Sequence, residues 1–342
     1  MNSEIIKYVA GGGKTTYSAN YLKNNKNGLY LAFTNSVIED VSKKGFLSKT
    51  IDSLFISFII PKLCCIIPLV SNCSKVTFVD NDKLPNYLKN VSQLRLDENG
   101  NIYNKSKRLD VNINTSNEFL HKMSDFPNSK AIKYIFDKNC LRLNHIFRSE
   151  LCEYIIKTYP NEIIELLSDR FDFIIIDEAQ DLSGYRETFA NLLYNSHIKT
   201  IILGDDFQNI INNGIWFEKL IADKYETKSY RCPETNCKWI RDNLNIEIYG
   251  NSDSSIFAII NYNEIKQYDD GGKFLLYFAQ SPKSKEIIRN WSGPKDTIKS
   301  AKGKTINRDI VIIGNKMSDK NLYTAITRTT KNVYSTIKNK HI

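Results

Sequence analysis

Short apolar runs, each closed by glycine or small polar residues, set the rhythm of the chain. Ile5–Val9, Gly28–Phe33, Phe173–Ile176 and Thr200–Leu203 read as strands, with helical spacing at Ser36–Lys44 and Gly184–Tyr194. Lys49–Phe55 predicts another short strand leading into a helix. The Phe173–Ile176 run is continuously apolar, as in a parallel strand covered on both faces. The last third repeats the theme. Strands are expected at Ile256–Ile260, Lys273–Ala279, Asp309–Ile313 and Val333–Ile337, and helices at Lys283–Trp291 and Lys320–Thr327. Such alternation predicts an α/β fold with parallel sheets.

Residues 61–170 break the rhythm. Asp97–Asn101 (DENGN) predicts a hairpin turn between short strands. Helical patterns follow at Asn117–Met123, Lys130–Phe136, Phe147–Thr158 and Asn161–Ser168, so the segment reads as a mostly helical insertion. The expected organisation is therefore a first domain in two parts, 1–60 and 171–228, with 61–170 inserted. A second domain follows over 229–342.

At 342 residues the chain is long enough for two ordinary domains. Its 25% charged residues are those of a water-soluble globular protein, and the formal net charge of +9 favours a polyanionic partner without identifying one. Seven cysteines in irregular positions, with no CxxC pair, fit free thiols in a reducing, cytoplasmic setting. The one run that resembles a membrane span, Leu54–Val70, is interrupted by Pro61, Lys62 and Pro68. It falls short of the ~20 apolar residues a bilayer requires.

Chemistry concentrates at strand ends. Asp177 and Glu178 directly follow the Phe173–Ile176 run, at the edge where open α/β sheets place their ligands. An Asp there can hold the Mg²⁺ of a nucleoside triphosphate, and the adjacent Glu can deprotonate the attacking water. After Ile5–Val9 comes Ala10-Gly11-Gly12-Gly13-Lys14-Thr15-Thr16. Three glycines allow backbone amides to approach phosphate oxygens, Lys14 can reach the β- and γ-phosphates, and Thr15 can ligate Mg²⁺. A third strand ends Gly204-Asp205-Asp206-Phe207-Gln208. Beside a Mg²⁺–phosphate site, Gln208 could hydrogen-bond both the γ-phosphate and the water.

In order, these segments resemble the superfamily 1 helicase motors of the UvrD/Rep/PcrA kind. The resemblance rests on AGGGKTT (10–16), LAFTN (31–35), TIDSLF (50–55), IIIDEAQD (174–181), LGDDFQ (203–208), SYRC (229–232), TIKSAKG (297–303) and LYTAITRT (322–329). It implies two RecA-like P-loop domains with parallel sheets, and ATP with Mg²⁺ as cofactors. It further implies that Gly11, Gly12, Gly13, Lys14, Thr15 and Thr16 cradle phosphate, with Thr15 and Asp177 on the metal. Glu178 would be the base, Gln208 the γ-phosphate sensor, Arg231 and Arg328 the arginine fingers, and Tyr230 the adenine stack. Thr34, Asn35, Thr50, Ser53, Lys299 and Ser300 occupy the matching strand-contact positions. Two departures stand out: Lys299 where a histidine is common, and Asn213-Gly214 where an aromatic and an arginine are usual, with Trp216 close by.

The implied function is a nucleic-acid-dependent ATPase that translocates on single-stranded DNA, 3′→5′, at no membrane. The alternative is an ATPase switch that binds nucleic acid without unwinding it. It would signal to a partner such as a nuclease or a replication, repair or defence protein.

Overall fold

The computed structural model describes residues 3–33, 35–71, 75–78, 94–104, 106–114, 134, 136–137, 140–210, 214–251, 255–278, 282–314 and 317–337. The chain divides into two compact units, each assembled from separated segments. One contains Met1–Ser3, Lys26–Ile174 and Ser183–Thr200; the other contains Glu4–Asn25, Ile175–Leu182 and Ile201–Ile342.

The second unit holds the N-terminal strand Glu4–Tyr8. It pairs in parallel with Lys199–Gly204 on one side (Glu4 opposite Ile201) and Lys224–Glu226 on the other. Ile5 and Ile6 are buried, the first 2% exposed and the second 0%, as expected for a covered parallel strand. The same unit carries a five-stranded sheet in the order Phe257–Ile259, Val333–Ser335, Ile310–Ile313, Phe274–Tyr277, Lys295–Thr297, every pair parallel. Strand periodicity sorts its side chains onto two faces. Leu276, Ile310 and Ile312 pack with Cys237, Ile240, Tyr323 and Ile326. Leu275, Val311 and Ile313 pack with Ile265 and Trp291 on the other. All six expected elements of this last third are present, at Phe257–Ile259, Phe274–Tyr277, Pro282–Asn290, Ile310–Ile313, Asp319–Ile326 and Val333–Ser335.

In the first unit, Gly28–Ala32 pairs in parallel with Ser48–Thr50, and the helix expected after it begins at Ile51. This helical stretch runs to Leu63 with a π-type turn at Phe55–Ile59, where the Ile60 amide donates to the Phe55 carbonyl. The widened turn ends two residues before Pro61, which has no N–H to donate. The helices His145–Thr158 and Pro160–Ser168 match the pattern read for them; the N-cap Asn144 side chain accepts from the Phe147 amide at 2.8 Å.

Between Lys75 and Leu143 the described residues add strands to an insertion expected to be mostly helical. Leu94–Leu96, Asn101–Asn104 and Lys107–Asn112 form an antiparallel sheet, and Lys75–Phe78, Cys140–Leu143 and Phe136–Asp137 form another. The DENGN turn is where it was expected. Asp97 accepts from the amides of Asn99 at 3.0 Å and Asn101 at 2.7 Å, and Gly100 takes a φ of 78°. The Asn117–Met123 pattern and nearly all of Lys130–Phe136 lie outside the described residues. Among the described residues no helix is long and apolar enough to cross a membrane.

Candidate nucleotide site and strand-contact segments

The glycine loop begins where Glu4–Tyr8 ends. Gly11 and Gly13 adopt φ of 72° and 91°, a left-handed conformation that side chains resist, and the Gly12 amide donates to the Val9 carbonyl at 3.0 Å. Gly13 is the N-cap of helix Lys14–Asn24 and offers no side-chain cap, so the first-turn amides remain available to an anion. Lys14 and Thr15 are half-buried at the start of that helix; Thr16 is exposed.

Strand Lys228–Pro233 lies tight against the loop. The Tyr230 amide donates to the Gly11 carbonyl at 2.9 Å, and the Ser229 hydroxyl donates to the Ala10 carbonyl at 2.7 Å. A β-carbon on Gly11 would sit 2.6 Å from that of Arg231, so no other residue fits without moving the strand. Arg231 donates to Thr305 at 3.3 Å, while its buried Nε has no hydrogen-bond partner. The Tyr230 ring is 63% exposed, and a β-carbon on Gly13 would approach it to 3.7 Å.

The carboxylates meet Lys14 in the same unit. Asp177 is buried, and its Oδ1 accepts from the Glu178 amide at 2.7 Å. Glu178 has φ 56°, ψ 39°, left-handed backbone for a non-glycine residue, the kind of strain that persists where surrounding contacts enforce it. One of its oxygens lies 3.7 Å from Lys14 Nζ, and the other accepts from Gln180 Nε2 at 2.5 Å. From there a chain of bonds crosses the site. Gln180 Oε1 accepts from the Asp205 amide at 2.9 Å, Gln208 Nε2 donates to Asp205 Oδ2 at 2.7 Å, and Arg328 Nη2 donates to Gln208 Oε1 at 2.9 Å. Arg328 is 1% exposed, its Nε donating to the Thr324 carbonyl at 3.0 Å. Tyr323 closes the network, its hydroxyl donating to Asp205 at 3.0 Å and accepting from the Ala10 amide at 2.8 Å.

These contacts bias protonation. Burial works against the Lys14 charge, but Glu178, Asp177 and Asp205 outweigh it and hold the pKa above that of a free lysine. Burial likewise opposes the Glu178 charge; Lys14, Lys302, the Gln180 amide and Arg328 together hold its carboxyl below the ordinary range. Burial and then the like charge of Arg231 bring Arg328 down to about 10. Two guanidinium groups close enough to repel, one with an unused donor, form a place where an anion lowers the energy.

The positions expected to contact a nucleic-acid strand divide. Thr34 lies outside the described residues, and Asn35 begins helix Asn35–Ser42. Thr50 caps helix Ile51–Leu54, its Oγ1 accepting from the Ser53 amide at 3.1 Å. Thr297 does the same for Ile298–Ala301, accepting from the Ser300 amide at 3.0 Å, with Lys299 and Ser300 exposed. Asn213 lies outside the described residues; Trp216 opens the short helix Trp216–Lys219.

Two family models match the chain. The family model of the UvrD/REP helicase N-terminal domain matches residues 22–212. That of the viral superfamily 1 RNA helicase core domain matches residues 129–335, and each match covers more than half of the chain. The chain belongs to the superfamily 1 helicases. Its architecture is mixed α/β with parallel sheets.

Solved structures similar to this superfamily 1 helicase chain include an arterivirus nonstructural protein 10 helicase, 13% identical with a TM-score of 0.47 over 97% of this chain and 59% of that one. The same arterivirus helicase in complex with DNA gives 13% and 0.47 over 99% and 62%. A PRRSV helicase gives 11% and 0.45 over 97% and 52%. The chain thus spans between 52% and 62% of the length of these helicases. No curated protein matches it.

Several residues of this network were not singled out by the sequence. Gln180, Asp205 and Tyr323 lie inside quoted segments but had no assigned task. Lys302, in TIKSAKG, places its ammonium on the Asp181 carboxylate and 2.6 Å from the Gln208 carbonyl. The recurrence of Thr-Ile-x-Ser at 50–53 and 297–300 was a usable signal for the paired caps.

Proposed function

We propose that the chain is a nucleic-acid-dependent ATPase that moves along single-stranded DNA, in the 3′→5′ direction, by hydrolysing ATP. The observation that carries this reading is the bond from Arg328 to Gln208, in the buried network that also joins Asp205, Gln180 and Glu178. A fold alone requires no such convergence of acid, amide and guanidinium.

The loop amides of Gly11–Gly13 and the Lys14 ammonium hold the β- and γ-phosphates, and the exposed Tyr230 ring offers a face to the base. Thr15 and Asp177 would hold Mg²⁺, which when bound neutralises phosphate oxygens. These ligands suit it, because Mg²⁺ takes one or two hard protein oxygens and completes its shell with phosphate and water. Among the described residues no cluster of three or more acidic, cysteine or histidine side chains competes as a metal cage.

Ionised Glu178 accepts a proton from water as the water oxygen bonds to the γ-phosphorus and the bond to the β–γ bridging oxygen breaks. Gln208 orients that water. Arg231 and Arg328 receive the charge that builds on the phosphoryl oxygens, a service worth ~10³–10⁵ in rate where guanidinium groups supply it. The unpartnered Arg231 Nε is a donor ready for that role.

The test is hydrolysis measured with no polymer, single-stranded DNA, duplex DNA and RNA. Single-stranded DNA is expected to stimulate most. A rate indifferent to every polymer overturns the motor reading, and greater stimulation by RNA replaces the substrate. Glu178→Gln is expected to lower turnover by ~10²–10⁴, the range of a general base, while nucleotide still binds. Normal turnover in that variant removes the base assignment.

A further inference from the structure

We propose that Tyr323 is a positioning residue that lets the site tell a nucleoside triphosphate from the diphosphate, an inference that rests on the function proposed above. The side chain is fully buried, its ring 5.6 Å from that of Phe207, so the hydroxyl has a fixed place. That hydroxyl has one partner at each of two segments. The Ala10 amide, at 2.8 Å, leads into the glycine loop. Asp205 Oδ2, at 3.0 Å, belongs to the cap of the turn Asp206–Gln208.

The chemistry of these groups allows one arrangement of hydrogens. A backbone amide only donates and a carboxylate accepts, so the phenol hydrogen points at Asp205. The same carboxylate oxygen takes Gln208 Nε2 at 2.7 Å, and the other takes the Phe207 amide at 3.0 Å. Gln208 therefore presents Oε1 to the donor-only guanidinium of Arg328, at 2.9 Å. Three bonds in series, from Ala10 to Tyr323, Asp205 and Gln208, set how far the Gln208 amide stands from the loop proposed to hold the phosphates.

Tyr323 and Arg328 come from the end of one helix, Asp319–Ile326, and the residues just after it. They grip the two ends of the same turn, Asp205 at its start and Gln208 at its finish. The Thr327 amide donates to the Tyr323 carbonyl at 3.0 Å, and Arg328 Nε to the Thr324 carbonyl at 3.0 Å, so the two grips keep one spacing. A diphosphate fills the loop but lacks the group that Gln208 and Arg328 are proposed to meet. A triphosphate gains from that meeting only when Gln208 stands at the right distance from the loop. Preference for the triphosphate thus depends on a hydroxyl that touches neither nucleotide. Removing it strips the buried Ala10 N–H of its acceptor and Asp205 Oδ2 of one of two donors, and unpaired buried groups drive local rearrangement. Phenylalanine keeps the ring against Phe207, which confines the change to this bridge.

The experiment measures the affinities of ADP and of AMP-PNP, a non-hydrolysable triphosphate, with Mg²⁺ by titration calorimetry. The proteins compared are the parent, Tyr323→Phe, Gln208→Ala and the double variant. The parent is expected to prefer AMP-PNP. Tyr323→Phe is expected to lower that preference at least ~5-fold, and the double variant to lose little beyond Gln208→Ala alone, as residues of one network do. A tether that serves stability only would weaken both nucleotides equally and leave the preference intact, which overturns the proposal. Full additivity with Gln208→Ala overturns it too. If Tyr323→Phe does not fold, Asp205→Asn takes its place, because its amide nitrogen can turn a donor towards Gln208. The same loss of preference is expected there, and an unchanged preference sinks the inference. A parent that binds neither nucleotide overturns the proposed function itself. A parent that binds both equally removes the γ-phosphate assignment of Gln208 and this inference with it. A discriminating parent with an unaffected Tyr323→Phe overturns this inference alone.

Discussion

Thr50-Ile51-Asp52-Ser53 and Thr297-Ile298-Lys299-Ser300 fold alike, one in each unit. In both, an extended threonine caps a four-residue helix, the next isoleucine is buried, and the serine amide donates to the threonine hydroxyl oxygen. The third residue separates them. Asp52 accepts from Arg186 Nε at 2.6 Å and Nη2 at 2.8 Å, lies 2.9 Å from Arg148 Nη1, and takes the Tyr185 hydroxyl. Arg186 also lies 5.2 Å over the Phe33 ring, next to Thr34. Lys299 is exposed. Local chemistry sets the shape of each turn, and long-range partners decide whether it is anchored or left to meet a ligand. The first turn is bolted to two helices. The second leaves Lys299 and Ser300 exposed, and Lys302 behind it bonds Asp181 and the Gln208 carbonyl.

That contrast can be broken experimentally. Asp52→Asn is expected to have the largest effect, about 2–3 kcal/mol off unfolding stability. This is less than the ~3–5 typical of breaking a fully buried pair, because the carboxylate is 23% exposed. The penalty depends on pH. Burial pushes the Asp52 carboxyl up, but the bonds from Arg186 and Tyr185 and the charges of both arginines outweigh it and hold it below the usual carboxylate range. The stabilisation is therefore fully present above the unfolded value of about 3.9 and is lost as pH falls through the lower folded value. Urea unfolding from pH 6 to pH 3 should show parent and variant converging at the acid end. A constant difference would exclude the ion-pair explanation.

Thr50→Ala and Thr297→Ala should each cost about 1 kcal/mol, the value of a lost helix cap. Equal losses support the local equivalence of the turns, and unequal ones would break it. The smallest expected effect is that of Lys299→Ala. It should leave stability unchanged and flatten the salt dependence of oligo(dT) binding by about 0.7 in the log–log slope, as the loss of one phosphate contact requires. An unchanged slope would remove Lys299 from the strand-contact set.

Much of this was legible in the sequence because it depends on short stretches. A glycine loop after an apolar strand, and acids directly after another, advertise their positions through backbone requirements that few other residues meet. Strands of three or four residues such as Leu94–Leu96 and Cys140–Leu143 carry too few periods for hydrophobic alternation to reveal them. The tasks of Lys302, Asp181 and Tyr323 were hidden for another reason. Their partners lie 94 to 121 residues away, and no local pattern records such a meeting.

The bond from the Ala10 amide to the Tyr323 hydroxyl joins residues 313 apart. During synthesis this glycine loop emerges well before helix Asp319–Ile326, and its tether is made only when that helix follows. Such distant closure is slow to form, and a prematurely terminated product lacks both this tether and Arg328. The order of translation therefore means that the glycine loop gains its tether, and Gln208 its bond to Arg328, only after the last of these segments has been made.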